Sequence, residues 1–134
     1  MKIGELSSTT GIDIQTLRYY ESQNLISKPK RLPNGYRDYS HDTVSTLQFI
    51  KKAKLVGFTL NEIKELLEIQ VTKDKHTCHE VKEFTQVKLD EINHKISELK
   101  KIKSALSKIH QTCCGGFESA ENCSILSALE NSDD

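Results

Sequence analysis

Residues 3–26 read "IGELSSTTGIDIQTLRYYESQNLI", and two short amphipathic helices can be laid on them with one break between. Ile3 and Leu6 share a face at i and i+3, Gly11 interrupts, and Asp13 is placed to cap a second helix from about Ile14. On that second helix Ile14 and Leu17 are the predicted inward positions. Gln15, Thr16, Arg18 and Tyr19 or Tyr20 are then left facing outward. A short helix, a tight turn and a second helix presenting Arg, Thr and Tyr is the layout of a helix-turn-helix. Its second helix fits a DNA major groove, where Arg reads guanine and hydroxyls hold phosphates. On this stretch alone a surface helix pair with solvated charges stays open as the alternative.

The following segment, "ISKPKRLPNGYRDYS" (residues 26–40), carries two prolines and an Asn34-Gly35 pair. Such a pair is a short-range hairpin signal. The hairpin would place Lys28, Lys30, Arg31 and Arg37 on or near its tip and Tyr36 and Tyr39 along a strand. A basic hairpin straight after a helix-turn-helix is a wing, positioned to hold the flanking DNA backbone. A hairpin that merely packs on the helices is the bland reading. Two support helices follow. "SHDTVSTLQFIKKAKLVGF" starts at a Ser40 or Asp42 cap and would bury Val44, Leu47, Ile50 and Leu55; "TLNEIKELLEIQ" opens on a Thr59–Glu62 capping box and would bury Leu60, Ile63, Leu66 and Leu67. Lys51, Lys52 and Lys54 read as a solvated face, with one of them able to flank DNA.

From about Thr77 to His110 the chain has neither Gly nor Pro, and Leu89, Ile92, Ile96, Leu99, Ile102, Leu106 and Ile109 recur at intervals of three and four. That is a coiled-coil pattern on a helix roughly 50 Å long, too long for a small domain to bury. A second copy is the economical partner, and a two-fold dimer suits a two-fold DNA site.

The whole chain has 134 residues, equal numbers of basic and acidic residues, and four cysteines. The even balance hides an asymmetry. Residues 1–58 hold nine Lys or Arg against five acids and all four tyrosines, while the remainder holds ten against fourteen. A basic half joined to an acidic half suggests a polyanion reader coupled to something else. No run approaches the roughly 18 apolar residues of a membrane span. The start, "MKIGELSSTT", lacks the apolar core of a signal peptide, so the expected compartment is the cytoplasm. Reduced thiols there point to metal or redox chemistry rather than structural disulfides.

Three of the cysteines crowd into "TCCGGFESAENCSIL" (residues 112–126), just past the long helix, and Cys78 lies at its start. One chain cannot join its own two helix ends. Two long helices paired antiparallel would set Cys78 of one copy beside Cys113, Cys114 and Cys123 of the other, a thiolate set for a soft or borderline cation.

"RYYE" at 18–21, "GYR" at 35–37, "LQFIKKAKLVGFTLNEIKELL", "HTCHEVK" and "CCGGFESAENCSIL" together resemble, over nearly the whole chain, the MerR family of metal-responsive transcription regulators, and most closely its zinc-sensing branch. The resemblance implies an all-α fold with a small β-hairpin wing: a winged helix-turn-helix domain (1–70), a linker and long antiparallel coiled-coil dimerisation helix (71–111), and a metal-binding loop, short helix and tail (112–134). It implies DNA contacts by Thr16, Arg18, Tyr19, Tyr20, Arg31, Tyr36 and Arg37, and metal ligation by Cys78, Cys113, Cys114 and Cys123. Cys at 78 marks divalent-ion sensors in that family. The zinc branch carries a loop His where this chain has Glu118, so Glu118 is a further candidate ligand, as is His76; Zn(II) is expected, with Cd(II) or Pb(II) as alternatives. The implied partners are a second copy, a palindromic operator in promoter DNA, and RNA polymerase engaged through that promoter, with no membrane. The implied mechanism is weak repression without metal and, with it, distortion of the promoter of a metal-efflux or resistance gene. A thiol redox-responsive regulator of the same fold is the second reading. A thiol-dependent enzyme, with His76 or His79 as base, lacks any supporting constellation.

Overall fold

The structure is a computed structural model that describes residues 1–131; positions 132–134 of the predicted tail lie outside the described residues. Six α-helices and one two-stranded hairpin follow in the order α1 (Ile3–Thr10), α2 (Ile14–Ser22), β1 (Lys30–Arg31), β2 (Arg37–Asp38), α3 (Asp42–Leu55), α4 (Leu60–Val71), α5 (Cys78–His110) and α6 (Ser124–Glu130). Single 3-10 turns precede α5 and α6. The chain forms two compact units, Met1–Lys82 and the residues from Glu83 onward, with the division inside α5.

In the first unit α1, α2, α3 and α4 close on one core of Leu6, Leu17, Tyr20, Leu25, Ile26, Tyr39, Leu47, Ile50, Ala53 and Ile63. Gly11 ends α1 in the left-handed region at φ 74°, a conformation that favours glycine, and its N–H closes on the Ser7 carbonyl at 2.8 Å. Asp13 caps α2 as expected, its Oδ1 accepting the Thr16 N–H at 2.7 Å. The α4 capping box also forms, with Thr59 and Glu62 each accepting the other's backbone N–H.

Four expectations are corrected. On α2 the inward residues are Leu17, Tyr20 and Glu21, while Ile14 is 38% exposed. Tyr20 is therefore a core residue rather than a groove reader: its ring lies on the side of Leu17, where apolar burial is available, and Tyr19 keeps the outward position. The wing strands are only two residues long, pairing Lys30 with Asp38 and Arg31 with Arg37. Tyr36 and Tyr39 flank the ladder, the first exposed and the second buried. Helix α3 starts at Asp42, with His41 in the cap position and no side-chain cap bond; Ser40 Oγ instead lies 3.4 Å from Thr43 Oγ1. Leu55, expected inside, is 79% exposed because α3 ends there and turns away at Val56 and Gly57.

From Glu83 onward the molecule is α5, a loop and α6. Leu89, Leu99, Ile102 and Leu106 are each more than half exposed. The apolar stripe read from the sequence is bare in one chain.

Candidate nucleic-acid interface and thiol loop

The polar face of the first unit is built by α2 and the wing. Arg18 and Tyr19 stand exposed on α2, while Thr16 is half-buried in its first turn. Hydrogen bonds from Thr16, its hydroxyl first and its N–H second, hold the Asp13 carboxyl below the usual carboxylate range, so Thr16 already serves the cap. Arg18, Tyr36 and Arg37 come together with Lys2 and Glu5 around one cavity of about 630 Å³ between α1, α2 and the wing. Lys2 Nζ sits 4.6 Å from the centroid of the Tyr36 ring, a cation–π contact that steadies the wing tip against the start of α1. Arg31 lies elsewhere, beside Arg37, Lys28 and Glu21 around a smaller cavity of about 190 Å³.

Glu21 is the functional neighbour that reading the sequence missed. It is buried on the inner face of α2, accepting Arg37 Nη1 at 2.7 Å and the Tyr39 hydroxyl at 3.4 Å. A buried carboxylate must be paired and hydrogen-bonded. This one uses both partners to clasp the wing onto the reading helix. The signal was present: an acid in the apolar phase of α2, four residues after Leu17, with an Arg-x-Tyr on the wing to answer it. Arg37 is thus tied to Glu21 by one nitrogen, while its side chain keeps 39% exposure.

The cysteines fall in both units. Cys78 is exposed and is the first residue of α5. Beside it, His76 has both ring nitrogens engaged, Nδ1 with Glu80 Oε2 at 2.7 Å and Nε2 with Thr72 Oγ1 at 3.2 Å. His76 would have to give up one of these to ligate a metal.

In the second unit Cys113 and Cys123 are half-buried, while Cys114 is exposed. The N–H groups of Leu126 and Ile125 at the start of α6, together with the Cys113 thiol, pull the Cys123 thiol below the usual cysteine range. Gly115, at φ 78°, turns the loop back so that its N–H points to Cys113 Sγ at 3.5 Å. The Glu118 carboxylate folds over Gly116 so closely that a Cβ at 116 would collide with it. Two adjacent thiols, one of them acidified, suit a soft or borderline cation by donor chemistry. Among the described residues no group of three or more His, Cys, Asp or Glu side chains converges to hold a metal ion.

Comparison with known proteins places both halves. Residues 1–69 match the family model described as MerR HTH family regulatory protein, and residues 44–109 match the model described as MerR, DNA binding. The chain is 38% identical over 129 residues to the HTH-type transcriptional regulator ZntR of Escherichia coli K12, covering 96% of this chain and 92% of that protein. It is 41% identical over 128 residues to the mercuric resistance operon regulatory protein of Bacillus cereus, covering 96% of each. The crystal structure of the transcription regulator PbrR691 from Ralstonia metallidurans CH34 in complex with lead(II) superposes with a TM-score of 0.85 at 29% identity, over 96% of this chain and 98% of that one. A winged reading head, a bare pairing helix and a thiol loop, matched over almost the full chain by metal-responsive regulators, have one explanation: the chain belongs to the MerR family and is a DNA-binding, metal-responsive transcription regulator, not an enzyme.

Proposed function

We propose that this regulator senses a thiophilic divalent cation, zinc(II) first, and switches on a metal-efflux or resistance gene when the ion binds. The observation that carries the reading is the gathering of Cys113, Cys114 and Cys123 in one short loop past α5, with Gly115 turning its N–H onto Cys113 Sγ. Regulators of this family are homodimers. Antiparallel pairing of two α5 helices through their bare stripes would bring Cys78 of the partner subunit beside the loop, completing the set with Cys114. Bound there, the cation would supply a common centre for thiolates of both subunits. Gly116 leaves room for the Glu118 carboxylate, an oxygen donor standing where the zinc branch carries a His, which can ligate zinc or shift the preference toward cadmium or lead. Cadmium(II) and lead(II) are the alternatives within the same reading, and His76 is a reserve ligand.

On the DNA side, Thr16, Arg18 and Tyr19 of α2 and Arg31, Tyr36 and Arg37 of the wing are the proposed contacts. The dimer would bind a palindromic operator inside a promoter in the cytoplasm, repress weakly without metal, and distort the DNA with metal so that RNA polymerase engages both recognition elements. The metal achieves this only by binding the activating conformation more tightly than the resting one. No helix among the described residues is long and apolar enough to cross a membrane.

Titration of the reduced, metal-free protein with zinc, cadmium and lead under anaerobic chelator competition tests the metal reading. Tight stoichiometric zinc binding that Cys78→Ser abolishes supports a shared site, and the order of affinities fixes the ion. A second reading, a redox switch closing a Cys113–Cys123 disulfide with a peroxide as oxidant, is favoured by the same cysteine-rich loop, in which the Cys123 thiol is held below the usual range. It gains if the reduced protein holds no stoichiometric metal and peroxide yields that disulfide in mass spectra.

A further inference from the structure

The sequence offered Lys51 as one of three lysines on a solvated face. Its neighbours in space are more specific than that. From α3, Lys51 Nζ donates to the Thr10 carbonyl at 3.1 Å in a partly buried bond spanning 41 positions of chain. Thr10 closes α1, so its carbonyl is one of the helix-end acceptors that have no partner within the helix, at the negative end of the dipole. Around this bond the α1–α2 turn is fully wired. Thr10 Oγ1 donates to the Leu6 carbonyl at 2.8 Å and accepts the Ile12 N–H at 3.3 Å, and Ser7 Oγ donates to the Ile12 carbonyl at 2.6 Å. A Cβ built on Gly11 would stand 3.1 Å from Lys51 Nζ. Gly11 thus serves twice, by its positive φ and by leaving space for the ammonium.

Three residues beyond this turn α2 begins, with its Arg18 and Tyr19 outward. The angle at which α2 leaves the turn decides where those side chains meet a groove. We propose that Lys51 is a positioning residue for DNA recognition: its ammonium pins the end of α1 to α3 and so fixes the pose of α2. This rests on the reading of the α2 face as the DNA-contacting one. It makes a different prediction from the obvious rival, in which Lys51 is a phosphate ligand. A phosphate ligand supports binding to every sequence and contributes about 0.9 to the salt slope. A positioning residue supports the matched sequence alone and leaves the slope intact.

The test uses the full-length protein and a duplex selected from a random pool by the wild type, with a scrambled duplex of equal length as the non-specific probe. Lys51→Met is expected to bind the selected duplex roughly tenfold more weakly, the scale of one charge-assisted hydrogen bond. Binding to the scrambled duplex and the salt slope should stay as they were, and Lys51→Arg should recover most of the loss. Thermal melting of each variant checks that the fold is intact. Gly11→Ala supplies a second line: its effect on selected-duplex affinity should be smaller in the Lys51→Met background, because the crowded ammonium is gone. The proposal is overturned by equal loss on both duplexes with a shallower salt slope, by no loss at all, or by strict additivity of the two substitutions. If the wild type selects no sequence, the DNA reading itself fails, and that shows before any variant is made.

Discussion

The two units solve opposite problems. Up to Lys82 the chain buries ten apolar residues in one core, and its interior acid, Glu21, has two partners. From Glu83 onward Lys88 is the only buried residue among those described, and Leu89, Ile96, Leu99, Ile102 and Leu106 of α5 stand in the open. The first unit is finished by its own sequence. The second carries a bare apolar stripe that a second copy can cover, and a loop of three cysteines that we propose an ion completes. A regulator gains from this division, because the part that reads stays constant while the part that senses changes its partners.

Breaking the unfinished half should have the largest effect. Leu99→Glu with Ile102→Glu, both more than half exposed in one chain, should leave a monomer in sedimentation. Losing the second half-site contact should then lower operator affinity by at least about a hundredfold. The same pair should leave the helical head folded. Leu17→Ala reverses the pattern: a fully buried residue is lost from the finished half, and denaturant unfolding should report about 3 kcal/mol of destabilisation. Arg37→Met probes the clasp between α2 and the wing. It strands the Glu21 carboxylate, which would cost about 2 kcal/mol in full burial. With the Arg37 side chain 39% exposed, about 1 kcal/mol is the expected loss.

Three pH effects are smaller. The Cys123 thiol is held low by the Leu126 and Ile125 N–H groups, so its alkylation should set in at lower pH in the folded protein than in urea. Metal affinity should fall as pH falls, since protons compete for the thiolates. The Asp13 carboxyl is held below its ordinary 3.8. Its cap contribution is therefore complete above that value and is lost as pH falls through the folded-state value. An acid melt of Asp13→Asn against wild type reads the difference.

Local signals carried the elements. Asp13, Thr59 with Glu62, the Asn34-Gly35 turn and the Gly-free run after Thr77 each act within a few residues, and each marks an element close to where it forms. What failed depended on contacts distant in sequence. A nine-residue helix such as α2 offers two plausible apolar phases. Leu17 faces inward as read, but Tyr20 took the place expected for Ile14 because the core it enters is assembled from α1, α3, α4 and the wing end, most of which no local window contains. The same reason hid the Glu21–Arg37 clasp, 16 positions apart, and the Lys51–Thr10 bond, 41 apart. At the candidate metal site the cysteines were legible as residues, but what they meet was not. On the proposed reading the rest of that site depends on a pairing of two chains, which one sequence specifies only as a bare stripe.

The loop between Cys113 and Cys123 has a consequence for dose response. Whatever free energy is needed to order Gly115, Gly116 and the exposed Phe117 is subtracted from the affinity of the thiols for their ion. On the metal-sensing reading about 1.4 kcal/mol of ordering moves the half-response concentration tenfold. The threshold would then be set in part by the glycines between the cysteines, Gly115 through its N–H on Cys113 Sγ and Gly116 through the space it leaves for Glu118.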